Sequence, residues 1–167
     1  MKDAEKLRRR RLVFYENDIN DINTVLGGFL QASKAKAGIL IDIDGHLITK
    51  KGETGGIDIT SVAALVAGSF ASTKQVATLL GEPEFSVLFH QGKHESIHIS
   101  LIAERTMLVA LFDDSTSIGM VRLYAGEVSS KIEELLDRHS DSDPVDVDLG
   151  GDFSGEASGK LDDLFSE

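Results

Sequence analysis

The chain has 167 residues, enough for one domain with a buried core and too few for two ordinary ones. It contains no cysteine, which excludes disulfides and thiolate metal sites, and its 41% hydrophobic content fits a soluble globular protein. The net charge of −11 is uneven: residues 139–167 hold nine acids against Lys160 alone, a balance of −8, so the rest carries only −3. That acidity opposes binding to nucleic acid, and the one basic cluster, Arg8–Arg11, reads as a solvated helix start. Apolar runs such as Gly38–Ile41 and Met107–Phe112 are far below a membrane span, and no signal peptide opens the chain, so a cytoplasmic protein without a transmembrane segment is expected.

In chain order, Leu12, Tyr15, Ile19, Ile22, Val25, Leu26 and Phe29 fall at helical spacing, broken near Gly27-Gly28 or at Ala37-Gly38. The run GILIDID, the turn Asp44-Gly45 and the run HLITK form a hairpin signature. Asp58 or Thr60 then caps a long helix that continues to Leu80 and stops at Gly81 before Pro83. One of its stripes is large (Val62, Leu65, Val66, Ser69, Val76, Leu79) and another small (Ala64, Gly68, Ala71, Gln75), so it is expected to pack against two different things. SVLFHQ, ESIHISLIA and TMLVALF are joined by gaps too short for crossover helices and predict an antiparallel meander. Alternation of Ile97, Ile99 and Leu101 with His98 and Ser100 predicts that one face of that sheet is wetter. Ser115 or Thr116 begins a last helix with Ile118, Val121, Leu123, Val128, Ile132, Leu135 and Leu136 on its apolar side, and Gly119 is expected to bring it close to the sheet. Past Arg138 the Asp, Ser and Gly content has no periodicity and reads as disorder, until Leu161, Leu164 and Phe165 restore a short apolar stripe.

Two stretches resemble active sites. ILIDIDGHLI with LFDD downstream is similar to the first and last motifs of haloacid-dehalogenase phosphatases, in which acids act as nucleophile and magnesium ligands. That chemistry needs Asp42, Asp44 and Asp113 at one edge of a parallel sheet, which a meander cannot provide. His90, His94 and His98 recur every four residues but straddle the turn at Gly92, too few for an ordinary zinc site, so no metal is expected. GEASGK falls one residue short of a phosphate-binding loop, and no nucleophile elbow occurs. The sequence therefore predicts no catalytic residues and no cofactor; Asp113, Asp114 and Ser115–Ser117 read as the turn and cap of the last helix, with Arg122 reaching a nearby acid.

The element order, with Ile41–Ile48, the small-residue helix around Ala63–Gly68, and Leu108–Asp113 followed by Thr116–Arg122, resembles the Roadblock family of dynein-light-chain-like regulators. Phe89–Gly92 and the ending Leu161–Glu167 are similar to the bacterial MglB branch of that family. The resemblance implies an α+β fold: a five-stranded antiparallel sheet in the order helix-strand-strand-helix-strand-strand-strand-helix. The long second helix covers one face and the terminal helices the other, and the fold dimerises through that helix and an edge strand into a continuous sheet. It divides the chain into a basic extension (1–11), the Roadblock domain (12–138) and an acidic disordered tail with its apolar motif (139–167). It implies a non-enzymatic homodimer that stimulates GTP hydrolysis by a small Ras-like GTPase of the MglA type, one GTPase per dimer. The setting is cell polarity or motility, with enrichment at a cell pole; the alternative is a scaffold that binds without activating. Activation would come from positioning the GTPase's own groups, since the arginines considered as fingers, Arg105 and Arg122, lie off the small-residue helix. The expected partner patch is Ala64, Gly68, Ala71 and Lys74, with Leu161, Leu164 and Phe165 as a tail interaction motif; the competing assignment gives the ridge to the dimer contact alone.

Overall fold

A computed structural model of the chain describes residues 16–141, and the side chains of 17–138. The chain divides into one unit ending at Leu135 and a second from Leu136, of which only the last helical residues to Asp141 are described. The elements are α1 (Glu16–Ser33), β1 (Ala37–Asp42), β2 (Leu47–Gly52), α2 (Ile59–Leu79), β3 (Val87–Gln91), β4 (Ser96–Ile102), β5 (Thr106–Phe112) and α3 (Ile118–Asp141). They follow the predicted order. The strands pair antiparallel throughout in the order β2-β1-β5-β4-β3, so the hairpin and the meander join between β1 and β5.

The hydrophobic runs become the two central strands because they are covered on both faces. All seven residues of β5 are buried, as are the first five of β1. On one face Ile39, Ile41, Ile99, Met107 and Val109 meet Ile59, Ala63, Val66, Ala67 and Phe70 of α2. On the other, Leu40, Leu108, Ala110 and Phe112 are buried by parity, together with Ile22, Leu26 and Phe29 of α1 and Val121, Ala125, Val128 and Ile132 of α3. A side chain at Gly38 would sit 3.5 Å from Leu26, which fixes how near α1 lies to β1.

Two expectations are corrected by the structure. First, of the two breaks expected, Gly27-Gly28 is not one: α1 runs through it to Ser33 and has ended before Ala37-Gly38. Two interior glycines cost about 1 kcal/mol each, whereas burying Ile22, Leu26 and Phe29 returns about 1.5–3 kcal/mol apiece. Gly28 is exposed with open space where a side chain would stand. Gly28→Ala is therefore expected to stabilise the fold by about 0.5–1 kcal/mol, read as a raised urea midpoint.

Second, the face bearing His98 and Ser100 is not wet. His98 is 1% exposed and Ser100 is also buried, because α3 covers the strand face that alternation alone would leave to solvent. α2 splits its large stripe between the sheet, which takes Val66, and the outside. The buried set Ile59, Ala63, Val66, Ala67, Phe70 and Ala77 mixes sizes, and Leu65, Val76 and Leu79 point outward.

The ends of α2 follow the sequence signals. Asp58 accepts the Ser61 amide at 3.2 Å and the Ser61 hydroxyl at 2.6 Å, and these bonds hold its carboxyl below the usual range. At the other end Gly81 takes a φ of +78°, while its N–H donates to Thr78 O and the Glu82 N–H to Ala77 O, closing a Schellman turn.

Candidate functional site

The carboxylates that resemble a phosphatase site are held far apart. The register sets Asp42 opposite Thr106 and Ala37 opposite Leu111, so Asp42 and Asp113 lie at opposite ends of antiparallel neighbours. Five strand steps separate those pairs, about 17 Å, too far to share a magnesium ion. Asp42 instead closes its hairpin: Oδ1 accepts the amides of Asp44 at 3.0 Å and His46 at 2.9 Å, and Oδ2 lies 3.0 Å from His46 Nδ1. Asp42, Asp44 and His46 thus offer one ligand atom each within 4.8 Å of one another, a gathering that the turn itself explains.

Asp113 has the same kind of role at the other end. Its Oδ1 accepts the Ser115 amide at 2.9 Å, and the Lys36 ammonium lies 3.7 Å from Oδ2. The Ser115 bonds, and then the lysine charge, hold this carboxyl below the usual range. Lys36 also donates to Glu95 at 2.5 Å, a bond that raises the lysine's pKa, so one ammonium ties the start of β1 to the β3–β4 turn and the end of β5. The helix begins slightly later than expected: Ser117, not Ser115 or Thr116, caps α3, its Oγ accepting the Met120 amide at 3.2 Å. Thr116 donates its hydroxyl to Ser33 O at 2.7 Å and pins the loop to the end of α1. Gly119 is exposed and its missing side chain faces open space apart from Ser117 Oγ at 3.9 Å, so it does not serve close packing on the sheet. Among the described residues Arg122 has no carboxylate partner; its charge bears on His98.

The three histidines do not converge. His90 stands opposite Ile97 on the edge strand and is exposed, His94 lies exposed in the turn, and His98 is buried in β4.

The outer surface of α2 is the remaining candidate. Ala64, Gly68, Ala71 and Lys74 are all exposed or half-buried on the outside and recur at i, i+4, i+7 and i+10, one continuous ridge. Nothing stands within 4 Å of where a Gly68 side chain would lie. The ridge begins beneath the hairpin: Gly45, at φ +92°, places its Cβ position 3.0 Å from Ala64 Cα and 3.3 Å from Ala67 Cβ. Small residues at Ala63, Ala64 and Ala67 let the turn approach, so the N-terminal end of the ridge also has an intramolecular use. Flanking it are side chains that the sequence reading did not single out as outward-facing. Leu65 is 72% and Leu79 86% exposed, with Val76 and Leu80 beside them; Val87 and Phe89, exposed on the edge strand β3, stand opposite Ser100 and His98 and so belong to the α3 face of the sheet. Phe70 was the available signal: counting from Ile59 through Ala63, Val66 and Phe70 finds the buried stripe and leaves Leu65, Val76 and Leu79 outside it. The tail motif, Leu161, Leu164 and Phe165, and the Arg8–Arg11 cluster lie outside the described residues.

No helix among the described residues is long and apolar enough to cross a membrane. None of the curated proteins compared matches the chain significantly. Among solved structures, MglB of Myxococcus xanthus is 37% identical, with a TM-score of 0.71 over 76% of this chain and 96% of that one. The gliding protein MglB of Thermus thermophilus is 28% identical with a TM-score of 0.72, again over 76% and 96%. An MglB described in a tetrameric arrangement is 27% identical with a TM-score of 0.73 over the same shares. The profile of the Roadblock/LC7 domain matches residues 21–112, which runs from α1 to the end of β5 and takes in all of α2. On that match, and on the likeness to MglB over three quarters of its length, the chain belongs to the Roadblock/LC7 domain family.

Proposed function

We propose that this protein is a homodimeric regulator of a small Ras-like GTPase of the MglA type, and that it stimulates GTP hydrolysis by positioning the GTPase's own catalytic groups. The observation that carries this reading is the outward ridge Ala64–Gly68–Ala71–Lys74 on a fold 37% identical to an MglB. Its small side chains permit close approach of a partner backbone, and Lys74 adds a cation at one end. The flanking Leu65, Val76, Leu79 and Leu80 supply the apolar contact for a second copy. One helix then serves both contacts: the two-fold brings two ridges together into one shallow seat for a single GTPase.

A mechanism by positioning agrees with where the arginines stand. Arg122 lies on α3, across the sheet from α2, and Arg105 lies in the β4–β5 turn. Neither belongs to the ridge, so the protein offers no arginine finger there, and the rate gain must come from ordering groups already in the GTPase. A role in cell polarity or motility, with enrichment at a pole, follows from the same reading. Residues 12–138 then act as the regulatory module, and Leu161, Leu164 and Phe165 as a second contact on the GTPase.

The test is stoichiometry with nucleotide dependence. Mixed with an MglA-type GTPase bearing a non-hydrolysable GTP analogue, the chain is expected to elute as two copies per GTPase, and as a free dimer when the GTPase bears GDP. A complex that forms equally in both nucleotide states supports the scaffold alternative instead.

A further inference from the structure

His98 has the surroundings of a proton-sensitive latch. It sits at the centre of β4, with Phe89 on one side and Ala110 on the other, beneath α3. Neither ring nitrogen has a hydrogen-bond partner, and neither do two further buried groups, Ser100 Oγ on the same strand face and Ser129 Oγ on α3. Ser129 stands two turns beyond Arg122 on the same flank of that helix. The flanking residues Phe89 and Ala110 carry no charge, and Ser96 and Ser100 are the polar neighbours on β4 itself. The one charge that bears on the ring is the Arg122 guanidinium on α3, the same sign as the proton the ring would take up. A buried imidazole with no acceptor and a neighbouring cation is stable only when neutral.

We propose that protonation of His98 releases α3 from the sheet, so that mild acid opens this face while the α2 side stays folded. The topology makes the opening local. α3 is the last described element and follows β5 through a short loop, so it lifts without breaking a strand pair. Its departure exposes Val121, Ala125, Val128 and Ile132 and hydrates His98, whereas the core between Ile39, Ile41, Val109 and α2 is untouched. The sign follows from linkage. Burial, and then Arg122, lowers the ring's pKa in the closed state below its value in water, so the closed state is fully favoured above pH ~6.5 and loses ground as pH falls below it. The carboxylates held low by their hydrogen bonds, Asp58 and Asp113, exert their effect below pH ~4 and leave the window between to the histidine.

Amide hydrogen exchange of the full chain at pH 7.5, 6.5 and 5.5, corrected for intrinsic rates, reads the opening directly. The opening constant of α3 amides is expected to rise up to about fivefold between pH 6.5 and 5.5, with α2 amides unchanged. His98→Met is expected to abolish the rise. Should that variant fold poorly, Arg122→Gln, at an exposed position, is expected to reduce it, because without the cation the closed state tolerates the proton better. Parallel loss in α2 and α3, or an unaltered rise in both variants, overturns the proposal.

Discussion

Replacing Gly52 by alanine is expected to cost about 2–6 kcal/mol, a large share of the 5–15 kcal/mol that holds a domain of this size together. Gly52 closes β2 at φ +99°, a left-handed conformation that an L side chain enters only with strain. The new Cβ would stand 2.3 Å from the carbonyl oxygen of Lys36, 2.9 Å from Ala37 Cα and 2.9 Å from Leu30 Cδ1. Two of those atoms are backbone and cannot swing aside. The Lys36 oxygen also accepts the Glu53 amide at 2.9 Å, so moving it breaks the bond that ends the hairpin. Strain of about 1–3 kcal/mol adds to overpacking of similar size. Urea denaturation followed by circular dichroism checks this; Gly28→Ala, which meets neither obstacle, shifts the midpoint the other way.

The second large effect is on the partner. Ala64→Arg with Gly68→Arg is expected to lower stimulation of GTP hydrolysis by about 100-fold or more, the scale on which ångström misplacement acts at a catalytic centre. Both positions are exposed and space around Gly68 is open; at Ala64, where the Gly45 turn comes close, circular dichroism checks that the fold is kept. Light scattering on the same variant separates the two uses of the ridge. A variant that remains dimeric and loses stimulation places the GTPase on the ridge. One that turns monomeric assigns the ridge to the dimer contact, and one that stays dimeric with normal stimulation removes the ridge from the function.

The sequence was most informative where one physical signal acted alone. The Asp44-Gly45 turn, the Asp58 cap and the Gly81 stop are local, and each stands where the residues put it. It was least informative where burial depends on which element lands on top. His98 and Ser100 alternate with Ile97 and Ile99 as a half-wet strand should, yet α3, arriving from sequence some twenty residues later, dries that face. Gly27-Gly28 look like a helix stop until the burial of Leu26 and Phe29 against β1 is counted. The ridge at Ala64, Gly68 and Ala71 was legible as small residues at helical spacing. That Leu65, Val76 and Leu79 flank it in the open was not, because a leucine's size does not say whether it faces its own sheet or a second copy.

The central claim, that this chain accelerates a GTPase that carries its own catalytic groups, is tested most directly by single-turnover GTP hydrolysis. An MglA-type GTPase loaded with GTP is followed alone and with increasing amounts of this protein. The hydrolysis rate is expected to rise and saturate at two copies per GTPase, with Arg105→Ala and Arg122→Ala as effective as the parent chain. A GTPase that binds the protein yet hydrolyses GTP no faster than alone, or a rate gain lost with either arginine, contradicts it.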